Sequence, residues 1–240
     1  MRFRSDRKGG RTVITSVFFD LDETILDFTK AEANALSRTL CSVGIEPSAY
    51  VIERYHEVNL SQWHLMEEGE LSRADVLTRR FELLFAELGW ALDVSSFNEQ
   101  YELFLGEGHF FLPGAEDMLK ELAPHYHLYL ATNGASSVQR RRLKSAGLEP
   151  WFEGIFISEE VGFHKPSGEY FKACFSKIQN FDPAEAIIVG DSLTSDIRGG
   201  KNAGIRTCWL NRAGKLPDGD VVPDYTICSL EELPVLLKQM

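Results

Sequence analysis

Two patterns of apolar and polar positions divide this chain. From His109 onward, short apolar runs alternate with amphipathic segments, the arrangement that predicts βα units around a parallel sheet. The runs His127 to Thr132, Gly154 to Ser158, Ala186 to Asp191 and Arg206 to Leu210 read as buried strands, and Tyr225 to Cys228 as a weaker edge strand. Helices fill the gaps: Ser136 to Ala146 stops at Gly147, Gly168 to Ile178 follows Pro166, and Leu193 to Ala203 stops at Gly204. Residues 28–108 carry no convincing strand pattern. There Val76, Leu77, Phe81, Leu84, Phe85 and Leu88 recur at three- and four-residue spacing, an apolar stripe that Gly89 can close as a C-cap, and Trp63 with Met66 suggests another packed helix. One further strand precedes this stretch and runs into Phe18-Phe19-Asp20-Leu21-Asp22-Glu23-Thr24.

The predicted fold class is α/β. A Rossmann-like parallel sheet with helices on both faces begins at the first strand, is interrupted by an all-helical insertion, and resumes near His109. The expected boundaries are 12–27 and 109–240 for the core and 28–108 for the insertion, with residues 1–11 as a basic, mobile leader. Parallel sheets bind ligands beyond the carboxyl ends of their strands, and the insertion leaves from that end of the first strand. It is therefore expected to serve as a cap.

Charge and cysteine usage narrow the partners. With 25 basic and 36 acidic residues the chain carries a net charge of −11, which argues against a nucleic-acid polymer held on a broad basic surface. A small anionic substrate needs only a local positive pocket or a metal. Cys41, Cys174, Cys208 and Cys228 are scattered without CxxC spacing, so they are expected to be reduced and mostly buried. The longest apolar stretches are strand-length, so no membrane partner is expected and a cytoplasmic location is. The sequence sets no oligomeric state.

Polar residues follow the predicted strands in a repeated way. Asp20 and Asp22 stand at the end of the first, where the chain must curl for both to reach one point. Such a pair can hold a hard cation, divide labour as nucleophile and general acid/base, or form an ordinary acidic turn. Thr132-Asn133-Gly134 can cradle a phosphate with a hydroxyl and backbone N–H groups, or make a plain turn. Lys165 precedes a helix, where a fixed ammonium could offset a nucleophile's charge, although most lysines are solvated. Asp191, after Gly190, looks like a metal ligand. Asp196 reads equally as a carboxylate supporting that site or as a dipole-favoured residue in a helical first turn.

Taken together, Asp20-Leu21-Asp22-Glu23-Thr24, Thr132, Lys165-Pro166 and Gly190-Asp191-Ser192 with Asp196 resemble the four ordered motifs of the haloacid dehalogenase superfamily, over nearly the whole chain after the leader. That resemblance implies an aspartyl-phosphate intermediate on Asp20. It implies Asp22 as the acid that protonates the leaving oxygen and then activates water. It also implies Mg²⁺ held by Asp20, Asp191 and the carbonyl of Asp22, with the phosphoryl group bound by Thr132, Asn133, Gly134 and Lys165. Members that cleave carbon–halogen bonds lack the second aspartate of the pair, so Asp22 favours phosphoryl chemistry. The helical insertion resembles the substrate-selecting cap of one large branch. Thr132-Asn133-Gly134 with Ser158-Glu159-Glu160-Val161-Gly162 looks like the pyrimidine 5′-nucleotidase and N-acylneuraminate-9-phosphatase group. The implied activity is a phosphatase for a small phosphorylated metabolite, a nucleoside 5′-monophosphate before a sugar phosphate. A phosphomutase, a 2-haloacid dehalogenase and a non-catalytic binding protein are the alternatives. In the insertion, Phe28, Trp63, His64 and Arg73 are candidates for substrate contact, because aromatic faces and a guanidinium suit a base or polar headgroup.

Overall fold

A computed structural model describes residues 13–216 and 220–240; the leader expected at residues 1–11 lies outside the described residues. In chain order β1 (Ser16–Phe19) is followed by α1 (Phe28–Ser42), α2 (Ala49–Glu67), α3 (Arg73–Leu88), α4 (Val94–Leu105) and α5 (Ala115–Leu122). Then come β2 (His127–Thr132), α6 (Ser136–Ser145), β3 (Gly154–Ile157), α7 (Ser158–Val161), α8 (Gly168–Phe175), β4 (Ala186–Gly190), α9 (Arg198–Ala203), β5 (Arg206–Leu210), β6 (Tyr225–Ile227) and α10 (Leu233–Lys238). Two compact units result. One holds the residues up to Ile25, Phe111–Asn133 and the chain from Pro150; the other holds Leu26–Phe110 and Gly134–Glu149.

The first unit is built on a parallel six-stranded sheet among the described residues, in the order β3-β2-β1-β4-β5-β6. Every residue of β1 is buried, which is why its sequence is an unbroken apolar run rather than an alternating one. On one face Phe18 stacks on Tyr129 with ring centroids 4.9 Å apart and meets Phe175 and Phe181 edge-on. Val17 and Phe19, which point the other way, are equally buried. Removing an aromatic side chain from such a core costs about 3–5 kcal/mol, so Phe18 alone is a large part of a marginal stability. Crossovers between parallel strands are right-handed as a rule, which places helices on both faces of such a sheet. The chain steps outward from β1 to β2 and β3, then returns to β4 on the far side of β1. Beside β1 lies the switch point, where open α/β sheets bind ligands.

The helical unit packs Ala31, Ala35, Leu36 and Leu40 of α1 with Tyr55 of α2, Phe81, Leu84 and Phe85 of α3, Phe97 and Tyr101 of α4, and Val138 of α6. The predicted stripe is thus the buried face of α3. That helix opens with a reciprocal capping box between Ser72 and Asp75 and ends at Gly89 in the left-handed region, φ 68°. Met66 of α2 is buried, as expected.

Three local expectations are corrected. The strand ends drawn at Ser158 and Asp191 fall one residue earlier, because Ser158 starts α7 and Asp191 leaves the sheet after Gly190. The helix expected from Leu193 begins as a π turn over Leu193–Ile197 before α9, a distortion that recurs at functional sites. Only Cys174 and Cys208 are buried. Cys41 is one helical step beyond buried Leu40 and so turns to solvent, and Cys228 lies past the end of β6. Among the described residues no helix is long and apolar enough to cross a membrane.

Candidate active site

Register brings the polar strand ends to one sheet edge. Phe19 pairs with Leu130 on one side and Val189 on the other, and the Asp20 N–H extends that ladder by donating to the Val189 carbonyl at 3.0 Å. Asp20 is therefore fixed as if it were a strand residue, while the chain beyond it turns back, closed by Ile25 N–H to Leu21 carbonyl at 2.9 Å. Leu21 is fully buried, so the turn is anchored in the core and Asp22 stands half-exposed beside it.

Lys165 is the hub of the arrangement. Its peptide bond to Pro166 is cis, and its side chain is buried. Nζ donates to Asp20 Oδ1 at 2.7 Å, to Asp196 Oδ1 at 2.6 Å and to the Ala131 carbonyl at 2.7 Å. An ammonium has three N–H donors, and all three are spent on these oxygens. Asp196 in turn accepts the Ser192 N–H on its other oxygen at 3.1 Å. Asp196 thus bonds both the Lys165 ammonium and the backbone just ahead of its own helical turn. Gly190 makes room for it: a Cβ there would lie 2.2 Å from Asp196 Cγ, so no other residue fits the end of β4 without displacing Asp196.

Asn133 braces the same loop through its side chain. Its Oδ1 accepts the Lys165 N–H and its Nδ2 donates to the Lys165 carbonyl, each at 2.9 Å, with a longer contact to Ser195 Oγ at 3.3 Å. Sequence reasoning credits Asn133 only with its backbone N–H. A polar residue after a strand carries no mark of a partner 32 positions away, so this bracket was illegible. Thr132, the last residue of β2, is buried.

Carboxylate oxygens of Asp20, Asp191 and Asp196 all lie within 4.8 Å of one another. Three carboxylates thus face one ammonium. Loss of water pushes the Asp20 carboxyl up to about 8; Lys165 pulls the other way, and Asp196 and Asp22 add to the rise. The same loss of water, with Asp196 and Asp20 nearby, holds Asp191 well above the usual carboxylate range. For Lys165, burial disfavours the charge, yet Asp196 and Asp20 outweigh it and hold the ammonium above its ordinary range. The cluster is short of positive charge. A set of hard, closely spaced oxygens with that deficit fits a divalent cation.

The candidates in the helical unit are dispersed over three helices. Phe28 opens α1, half-buried, with the Arg142 guanidinium 5.6 Å from its ring. Trp63 is half-buried on α2 and donates from Nε1 to Asn59 Oδ1 at 3.2 Å; His64 beside it is exposed. Arg73 is the half-buried first residue of α3.

Known proteins resemble this chain over most of its length. Residues 14–204 match the family model for haloacid dehalogenase-like hydrolases. The chain is 41% identical to the HAD-hydrolase YfnB of Bacillus subtilis over 91% of its own length and 93% of that protein. The magnesium-bound crystal structure of YfnB superposes with a TM-score of 0.90, covering 94% of this chain and 99% of that one. Pyrimidine 5′-nucleotidase PynA of Streptococcus pneumoniae is 35% identical over 90% of this chain and 92% of its own. N-acylneuraminate-9-phosphatase of Mus musculus is 29% identical over 96% of each. A sheet edge bearing Asp20, Thr132, Lys165 and Asp191 in chain order, on a match that runs from β1 into α9, leaves one conclusion: the chain belongs to the haloacid dehalogenase-like hydrolase family.

Proposed function

We propose that the protein is a Mg²⁺-dependent phosphatase for a small phosphomonoester, a pyrimidine nucleoside 5′-monophosphate in particular. The observation that carries this reading is the buried Lys165 ammonium shared between Asp20 and Asp196 beside Asp191. Such a site presents a fixed carboxylate and a surplus of hard oxygen ligands, which suits in-line attack on a phosphoryl group. The nucleotide part of the reading rests on likeness to PynA. The reading takes residues 28–108 as the substrate-selecting cap, with Phe28, Trp63 and Arg73 as its contributors, and a cytoplasmic setting.

In this mechanism Lys165 holds Oδ1 of Asp20 and leaves Oδ2 as the attacking atom. The Oδ2–phosphorus bond forms as the ester bond from phosphorus to oxygen breaks, and Asp22 hands its proton to the departing oxygen. Asp22, now ionised, takes a proton from a water that attacks phosphorus, and the Asp20–phosphorus bond breaks to give inorganic phosphate. Thr132 and the N–H groups of Asn133 and Gly134 receive the phosphoryl oxygens. Lys165, whose three N–H groups are already engaged, acts on the phosphoryl group by its charge. Asp20, Asp191 and the Asp22 carbonyl would hold Mg²⁺, which when bound would supply charge neutralisation between two anionic reactants.

The test is phosphate release from a panel of nucleoside monophosphates, sugar phosphates and an aryl phosphate, with Mg²⁺ and with chelator. Chelator-sensitive release with a preference for pyrimidine monophosphates is expected. A preference for a sugar phosphate would overturn the nucleotide reading and keep the phosphatase. No release from any substrate would overturn the phosphatase itself.

A further inference from the structure

Arg142 is a charged side chain whose burial the proposed chemistry leaves unexplained. It sits on α6 of the helical unit with no measurable exposure. A guanidinium can be kept away from water only if its donors are well used, and the partners here are specific. Nε donates to the Gly108 carbonyl at 3.0 Å, NH1 donates to Gln139 Oε1 at 3.0 Å, and the guanidinium lies 5.6 Å from the Phe28 ring.

Two of those partners lie at the start of α1 and just past the end of α4. Phe28 is where the chain enters α1, and Gly108 is where it returns after α4. The two segments are themselves tied by the Asp27 N–H donating to the Phe110 carbonyl at 2.8 Å. The return segment is packed without slack: a Cβ at Gly108 would lie 2.8 Å from Ala31 Cβ, and one at Gly106 would lie 2.9 Å from Arg141 Cδ. Arg142 thus fastens α6 to a stiff joint.

The other arm of the contact runs to the opening of α6. Gln139, also buried, lies so close to Gly134 that a Cβ there would sit 2.4 Å from Gln139 Nε2 and 2.5 Å from its Cδ. Gly134 ends the Thr132-Asn133-Gly134 turn. Its backbone is accordingly set by a side chain one turn into α6, and that side chain is set by Arg142.

We propose that Gln139 and Arg142 are positioning residues for the Thr132-Asn133-Gly134 turn: together they press the Gly134 backbone into place from the joint formed by Phe28 and Gly108, so that its N–H groups meet the phosphoryl oxygens. The proposal rests on the phosphatase reading above, in which that turn receives the phosphoryl group. Neither side chain touches the reacting atoms, so their effect falls on anion binding and leaves the metal alone.

The experiment compares the whole protein with its Gln139→Ala, Arg142→Lys and Arg142→Met variants. Three quantities are read: kcat and KM for a small aryl phosphate, the inhibition constant for orthovanadate as a phosphoryl probe, and the Mg²⁺ concentration for half-maximal activity. Misplacing a binding group by an ångström costs up to about 100-fold, so kcat/KM and vanadate affinity should fall together by about 10- to 100-fold in the variants. Arg142→Lys should recover part of the loss, because it retains a donor, and the Mg²⁺ requirement should not move. A purely structural role would lower the melting temperature and the active fraction while leaving vanadate affinity and KM of the folded fraction unchanged, and that result overturns the proposal. Gln139→Ala removes no charge and decides the matter if the Arg142 variants do not fold. A parent protein that neither releases phosphate nor binds vanadate overturns the phosphatase reading; a parent active on both counts with unaffected variants overturns this proposal alone.

Discussion

In the helical unit, Arg80 is buried with NH2 donating to Asn98 Oδ1 at 2.7 Å, NH1 reaching Asn59 Oδ1 at 3.4 Å, and Glu102 3.8 Å away. Glu32, buried in the same unit, accepts Asn59 Nδ2 at 2.7 Å and lies 2.6 Å from His56 Nδ1. In the sheet unit, Lys165 meets two carboxylates directly, with the third, Asp191, close by. The first cluster mixes amides, carboxylates and cations, so each charge has neutral or opposite partners and cross-ties four helices. The second sets like charges within a few ångströms. Charge buried in a mixed network fixes structure; charge buried in a one-sided cluster stores unfavourable energy that a cation or an anionic reaction can relieve.

The sharpest way to break this contrast is Asp20→Asn. The substitution removes the nucleophile of the proposed mechanism, and phosphate release should fall by roughly 10³-fold or more. Because it also removes one of the crowded carboxylates, the melting temperature of the metal-free protein should hold or rise. A collapse in melting temperature would instead class Asp20 with the structural charges. Arg80→Met should do the reverse. It removes the cation that Asn98 and Asn59 accept from and that Glu102 faces, and should cost about 3 kcal/mol in urea unfolding, with kcat per folded molecule unchanged. Loss of kcat in a folded Arg80 variant would erase the distinction.

A subtler test uses protons. Asp20 titrates near 8 in the fold against 3.8 ordinarily. A carboxyl raised in this way contributes stability that is complete below its ordinary value and is lost as pH rises through about 8. Lys165, held above its ordinary range, keeps its proton across that window. The metal-free protein should therefore melt lower at about pH 9 than at about pH 6. Mg²⁺ favours the ionised carboxylates, so it should raise the melting temperature more at the higher pH. A Mg²⁺ effect that is equal at both would show that these carboxylates do not carry the excess charge.

How much of this was legible depends on the range of each interaction. β1, β2, β4 and β5 are apolar runs whose period is local, and the α3 stripe with its Gly89 cap is local as well, so the sheet strands and that helix could be read directly. Asp20, Thr132 and Asp191 announce themselves by standing at strand ends, and Lys165 by standing just ahead of a helix. Asn133 and Asp196 can be picked out as well, but their bonds to the Lys165 backbone and ammonium cannot, because these cross gaps of 32 and 31 residues. Nor does the sequence of α6 show that it packs with α1 and α4: its spacing is that of any crossover helix. The π turn at Leu193–Ile197, where the Ile197 N–H donates to the Ser192 carbonyl at 3.1 Å, leaves no mark in residues whose spacing is that of an ordinary helix.

The smallest effect expected separates the two kinds of burial at a single residue. Trp63 has a hydrogen bond into the mixed network through Nε1 and an aromatic face that the proposed cap would use for a base. Trp63→Phe keeps a face and deletes the bond, so it should cost about 1 kcal/mol of stability and leave discrimination between a pyrimidine monophosphate and a short alkyl phosphate intact. Trp63→Ala deletes both, and discrimination should fall through a higher KM for the nucleotide while the alkyl phosphate is unaffected. If the Phe variant already loses discrimination, the Nε1 bond rather than the ring face sets it, and the network that stabilises the helical unit would also be what tunes its choice of substrate.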